Sequence, residues 1–329
     1  MNRQLSTHDT RRARLSPRDT RSPRRWTREE LEARGGWRLE APAALVAELD
    51  ALERWSHTVS EPVEVFELDH VDVPATRSLA RQLRRELDEG SGVVWIRRLP
   101  AATEMARRLL FTALGLCLGR PVGDYGRLHD VRDTGRSYRS EAIPVSQTRD
   151  STGVHTDSSR RAVCPRYIGL LCIRPAAVGG ESRLTSALQA HEVLRRTAPE
   201  ALELLYGDFV RDVVTPGADR GSEALRANSF PIFSAPPGPA FRYMRYWIER
   251  GQQLVEQPLD SRTLDAFDRL DAALEHPEHV VRFRLQAGDM MFCDNTRVAH
   301  DRDAYESDPE HPRLLCRLWI DPDQRHAPA

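Results

Sequence analysis

His155-Thr156-Asp157 sets an imidazole and a carboxylate two residues apart, and a second imidazole follows far downstream at His300. In a strand, residues i and i+2 project to one face, so His155 and Asp157 can reach one point while Thr156 turns away. Two imidazoles and a carboxylate make a mixed, open donor set that suits Fe(II) better than a closed structural zinc site. Such a set leaves coordination positions for a co-substrate and O2. Beyond His300 come Arg313 and Arg317, four apart on an expected strand and therefore on one face, with Leu315 between them. A guanidinium aimed into a buried site is costly unless it meets an anion. Its planar fork binds a carboxylate through two parallel hydrogen bonds, each contributing about 1.5–3 kcal/mol. For Arg317, an internal ion pair with a protein carboxylate competes with a ligand role. Histidines beside acids are common in so charged a chain. His129-Asp130, His191 and the pair His276 and His279 read as solvated or hydrogen-bonded side chains.

The elements that must position these residues can be read from periodicity. Leu45, Leu49 and Leu52 predict a helix over 41–55, and Leu79, Leu83 and Leu87 another over 75–89. Val93 to Ile96 reads as a buried strand and 103–118 as a third helix, together a helical shell over about 40–120. The core is expected over 150–322. Its strands are 167–173, 182–185, 229–233, 241–248, 280–285, 290–293 and 313–320, with Gly179-Gly180 and Gly288-Asp289 as turns. His300 falls after the strand that ends at Asn295. A helical insertion spans about 187–275, with Ser261 as an N-cap. Short strands, glycine turns and helical insertions fit a mainly β fold, a jelly roll flanked by helices. The polar stretch from Thr134 to Ser151 is a candidate pocket wall, with Ser151 placed nearest the metal. Arg242, Tyr243, Arg245 and Tyr246 form a second polar cluster on an expected strand.

Composition narrows the function. Of 329 residues, 40% are hydrophobic, enough for a large core, and the formal net charge of −1 gives no general attraction to nucleic acid or an anionic membrane. All 48 basic residues are arginine. Five scattered cysteines, odd in number and without C-x-x-C spacing, argue against a disulfide framework and for a reducing, cytoplasmic setting. No apolar run is long enough to span a membrane. Neither Arg11-Arg12 nor Arg24-Arg25 precedes an apolar stretch, so no secretory signal is expected. Residues 1–35, rich in Arg, Ser, Thr, Pro and Asp, are expected to be a disordered basic tail, with a single domain over 36–329.

The ordered set His155-Thr156-Asp157, Gly179-Gly180-Glu181-Ser182, Asn295-Thr296-Arg297-Val298-Ala299-His300 and Arg313-Leu314-Leu315-Cys316-Arg317 resembles the TauD/TfdA family of Fe(II)- and 2-oxoglutarate-dependent dioxygenases. The similarity runs roughly from Gly92 to Ile320. The resemblance implies a clavaminate-synthase-like double-stranded β-helix, with His155, Asp157 and His300 as iron ligands and catalytic centre. Arg313 would bind the distal carboxylate of 2-oxoglutarate, assisted by Ser182, and Arg317 and Ser151 would face the primary substrate. Asp157 stands where related halogenases carry a small residue, which disfavours halogenation. The implied reaction consumes 2-oxoglutarate and O2, releases succinate and CO2, and hydroxylates an unactivated C–H bond. Desaturation, cyclisation or cleavage are not separated from hydroxylation. The expected substrate is a small polar molecule bearing a carboxylate, an amino acid or a biosynthetic intermediate, and homo-oligomerisation is left open. Two other classes compete: a non-catalytic jelly-roll ligand-binding protein and a zinc hydrolase with the same three ligands. The first needs neither a complete triad nor Arg313. The second needs a positioned general base, and none is identifiable.

Overall fold

The computed structural model describes residues 24–123, 126–151, 153–157, 164–214, 218–234, 240–306, 308 and 310–321; most of the expected tail lies outside the described residues. Order begins earlier than composition suggests. Trp26 is fully buried and donates its indole N–H to the Ser91 carbonyl at 2.9 Å. Thr27 and Glu30 then form a capping box that starts α1 (Arg28–Arg34). The expectation of a tail reaching residue 35 is corrected: Trp26, Leu31 and Trp37 are apolar anchors set among arginines.

The chain continues as β1 (Arg38–Glu40), α2 (Leu45–Ser56), α3 (Pro62–Val65), α4 (Pro74–Asp88), β2 (Val93–Arg97) and α5 (Glu104–Leu118). Leu79, Leu83 and Leu87 are buried along α4, as their spacing requires. Packing holds these helices more than propensity does. Each fully buried Leu or Phe contributes about 1.5–3 kcal/mol, whereas ordinary helix propensities differ by at most about 0.7 kcal/mol per residue. Short strands β3 (Arg120–Pro121) and β4 (His129–Val131) lead to β5 (Tyr167–Arg174), β6 (Val178–Gly179) and β7 (Ser182–Ser186). The insertion carries α6 (Ala187–Thr197), α7 (Pro199–Leu204), β8 (Asp208–Val210), α8 (Ser222–Ala227), β9 (Ser229–Pro231), α9 (Arg245–Leu254) and α10 (Ser261–Glu275). The last strands are β10 (Val281–Phe283), β11 (Met290–Asp294), β12 (Val298–Arg302), β13 (Tyr305–Glu306) and β14 (Leu314–Asp321).

Two sheets carry the core. The larger runs β1-β2-β11-β5-β14-β3, with β4 also on β14, and the smaller runs β10-β7-β12. Between them pack Trp95, Ile168, Met291, Leu315 and Trp319 from the large sheet and Leu184, Phe283 and Val298 from the small one. On the large sheet's other face, α2, α4 and α5 cover Val94, Ile96, Phe292, Cys316 and Leu318. Both faces of β2 and β11 are therefore buried, which is why their sequences are unbroken apolar runs. The small sheet is backed by α6 and α10 through Ala187, Ala299 and Leu270.

Three expectations change. More of the described residues lie in helices than in strands, so the fold is mixed rather than mainly β. β2 belongs to the main sheet, paired with β11, and is not part of an outer shell. The stretch expected as a strand over 241–248 turns into α9 at Arg245, and α10 is capped by Asp260, whose side chain accepts from Thr263 N, one residue before Ser261.

Candidate metal centre

His300 follows β11 as expected, lies on a further strand, β12, and forms an antiparallel bridge with His155. The bridge is reciprocal: His155 N donates to His300 O at 2.9 Å and His300 N to His155 O at 2.8 Å. This backbone pair, spanning 145 positions, sets the two imidazoles side by side with ring centroids 4.5 Å apart. Thr156 is directed the other way, its Oγ1 accepting from Tyr243 N at 2.9 Å. Asp157 returns to the same side as His155. Its backbone is held by Asn295, whose Oδ1 accepts from Asp157 N at 2.8 Å and whose Nδ2 donates to Asp157 O at 2.6 Å. Asn295 is thus the clamp of the loop bearing the carboxylate.

The side chains converge. Asp157 Oδ1 lies 3.9 Å from His155 Nε2 and 3.8 Å from His300 Nε2, and one ligand atom from each residue falls within 4.8 Å of the others. His155 Nδ1 sits 2.9 Å from the Gly153 carbonyl. A carbonyl only accepts, so Nδ1 carries the proton and Nε2 presents a lone pair. Burial first, then the neighbouring His300, pushes the His155 imidazole down to about 4, so it is neutral at pH 7. Burial alone would raise the Asp157 carboxyl, but Arg317 and the two imidazoles hold it well below the usual carboxylate range. A buried carboxylate faced by imidazole nitrogens is a donor set that one divalent cation joins.

Asp157 Oδ2 is held separately, by Trp319 Nε1 at 2.8 Å and Arg317 Nη1 at 3.2 Å. The ion pair weighed for Arg317 is therefore realised, with a candidate metal ligand as its partner. Arg317 also stands 4.5 Å from the Trp319 ring centroid. Trp319 was not anticipated; its only signal was its place two residues beyond Arg317 on the pocket face of β14. Of the two readings for His129, solvated or hydrogen-bonded, the second holds: its Nε2 lies 3.2 Å from Ser146 Oγ, and β4 sets it opposite Arg317. Burial and then Arg317 push its imidazole down to about 4.

One pocket joins the triad to Ser182, Arg313 and Arg317. Arg313 is 5% exposed and its Nη1 is buried without a hydrogen-bond partner. Burial, then the nearby Arg302, pushes its guanidinium down to about 10. Gly179 and Gly180 both adopt positive φ, 71° and 72°, which L side chains rarely do. A Cβ on Gly179 would lie 2.3 Å from Ala304 O, and one on Gly180 would lie 3.5 Å from Arg313 Nε. The glycine pair supplies the left-handed turn beside Arg313, and Gly179 lets it pass against the Ala304 carbonyl. Ser151 stands apart from the pocket lining, with its Oγ 3.5 Å from Asp301 Oδ2; Val145 and Ser146 line the pocket instead. Arg242 is buried against the Phe230 ring and Arg245 pairs with Asp268 and Asp271.

Residues 58–319 match the family model described as "Taurine catabolism dioxygenase TauD, TfdA family". FR-33289 synthase of Streptomyces rubellomurinus (strain ATCC 31215) is 29% identical over 328 residues, covering 90% of this chain and 88% of its own. A uridine-5'-phosphate dioxygenase of Streptomyces sp is 32% identical over 186 residues, 53% of this chain and 63% of the relative. Among solved structures, asparagine oxygenase in complex with Fe(II), 2S,3S-3-hydroxyasparagine and succinate superposes with a TM-score of 0.63 at 16% identity, over 88% of this chain and 95% of that one. At that identity the likeness speaks for the fold alone.

Proposed function

Because the chain belongs to the TauD/TfdA family of Fe(II)- and 2-oxoglutarate-dependent dioxygenases, we propose that His155, Asp157 and His300 are its iron ligands and that Arg313, with Ser182, receives the distal carboxylate of 2-oxoglutarate. The enzyme uses Fe(II), 2-oxoglutarate and O2. The iron, when bound, supplies the oxidising chemistry that turns 2-oxoglutarate and O2 into succinate, CO2 and an oxidised C–H bond. The observation that carries the residue assignment is the convergence of the three ligand atoms in the pocket that also holds a buried, unpartnered Arg313 nitrogen.

The chain's own residues hold and orient. The His155–His300 backbone bridge and the Asn295 clamp fix the ligands, so little ordering remains to be done when the metal arrives. Trp319 and Arg317 occupy Asp157 Oδ2 and leave Oδ1 toward the imidazoles. Apolar walls from Ile168, Leu184, Met291 and Leu315 keep water from the reacting centre. The two facing sheets are read as the double-stranded β-helix of the family.

The reaction is hydroxylation of a small polar substrate bearing an anionic group, a carboxylate in an amino acid or biosynthetic intermediate. The relative named for uridine-5'-phosphate, itself an anionic molecule, supports this. The test is succinate release across paired candidates that differ only in esterification of their acidic group. Stimulation by the free acids supports the reading, and stimulation by the esters alone removes it.

A further inference from the structure

Arg302 lies two residues beyond His300 on β12, opposite Ser182 in the sheet register. It lines the same pocket as Arg313. The Tyr305 ring neighbours both arginines, with its centroid 4.8 Å from the Arg302 guanidinium carbon and 4.9 Å from that of Arg313. Among the described residues neither guanidinium enters an ion pair, and Arg302 Nε and Arg313 Nη1 are buried without a hydrogen-bond partner. A buried cation and a half-buried one, each with an unsatisfied N–H, are costly until an anion joins them. Arg302 has a second attachment. Its Nη2 donates to Thr148 O at 3.0 Å and to Asp150 O, and Tyr305 N donates to Arg149 O at 3.2 Å. The segment so held, residues 145–151, supplies Val145 and Ser146 to the pocket wall.

We propose that Arg302 is a positioning residue that shares the distal carboxylate of 2-oxoglutarate with Arg313 and so fastens residues 145–151 over the filled co-substrate pocket. The inference rests on the assignment of Arg313 to that carboxylate. It makes the substrate-side wall depend on the far end of the co-substrate rather than on the metal-binding end.

The experiment is anaerobic amide hydrogen exchange of the Fe(II)-loaded protein, read on peptides covering 145–151. Three states are compared: no addition, 2-oxoglutarate, and 2-oxobutyrate, a 2-oxo acid without the distal carboxylate. Calorimetry confirms occupancy by each. Exchange is expected to slow about tenfold with 2-oxoglutarate and to stay unchanged with 2-oxobutyrate at saturation. Equal slowing by both acids, or by neither, overturns the proposal and leaves the Arg313 assignment standing. If 2-oxoglutarate does not bind at all, the assignment of the pocket falls with it. Arg302→Gln should weaken 2-oxoglutarate binding about tenfold and abolish the slowing at saturation, with Arg302→Lys restoring affinity but not the slowing. Full slowing in a saturated, folded Arg302→Gln overturns the proposal.

Discussion

Trp319→Phe removes one N–H from the Asp157 carboxylate while keeping an aromatic ring between the sheets. Trp319 Nε1 lies 2.8 Å from Asp157 Oδ2 and the residue is 6% exposed, so water cannot readily replace the donor. A hydrogen bond to a buried charged group contributes about 1.5–3 kcal/mol, which is about 10–100-fold in an equilibrium constant. Outer partners of metal ligands have effects of the same size, about 10–100-fold in metal affinity. Arg317 Nη1 remains 3.2 Å from the same oxygen, so the lower end, about tenfold, is expected. The assay is anaerobic titration of the apo protein with Fe(II), with thermal denaturation as the check on folding. Because Trp319 is on the Asp157 side of the pocket, the requirement for 2-oxoglutarate at saturating iron should not change. A folded variant that binds Fe(II) as tightly as the parent would refute the claim that this indole orients a ligand.

Three further outcomes are expected. Arg313→Ala should leave Fe(II) affinity intact and raise the KM for 2-oxoglutarate by about 100-fold or more, the loss of two charge-assisted bonds; an unchanged KM in steady-state assays would shift the role to Arg317. Gly179→Ala places a Cβ 2.3 Å from Ala304 O at a positive φ, so thermal denaturation should show a loss of about 1–3 kcal/mol, with a higher KM for 2-oxoglutarate. His129 and His155 are both pushed down to about 4, whereas the unfolded chain protonates near 6.5. The unfolded state therefore binds more protons between those values, and apo stability should be intact above about pH 6.5 and fall toward pH 4. His129→Gln should shrink the fall in melting temperature between pH 7 and 5, and a fall of undiminished size would refute this cause.

How much of this was legible depended on sequence distance. The two periodicities placed α2, α4, α5 and the strands at β5, β7, β11 and β14, because each buries a face that repeats within a few residues. The order of His155, Asp157, His300 and Arg313 was legible as a pattern of types, although nothing local shows that His300 bridges His155. Tertiary partners were hidden. Trp319 and Asp157 are 162 positions apart, and His129 meets Arg317 only through the pairing of β4 with β14. α9 was mistaken for a strand because Tyr243 to Ile248 offers aromatic and β-branched side chains. Its buried face, Trp247, Ile248 and Gly251, needs a helical turn, and a Cβ at Gly251 would lie 2.6 Å from Asp212 N. The Thr27–Glu30 capping box was a readable start signal that arginine-rich surroundings outweighed.

The most direct measurement is the visible absorption of the apo protein mixed anaerobically with Fe(II) and 2-oxoglutarate, beside His155→Ala, Asp157→Ala and His300→Ala. The parent should develop a weak charge-transfer band that each variant lacks, with succinate production lost in parallel. A band that persists when His300 is replaced would contradict the convergence of these three side chains on one ferrous ion.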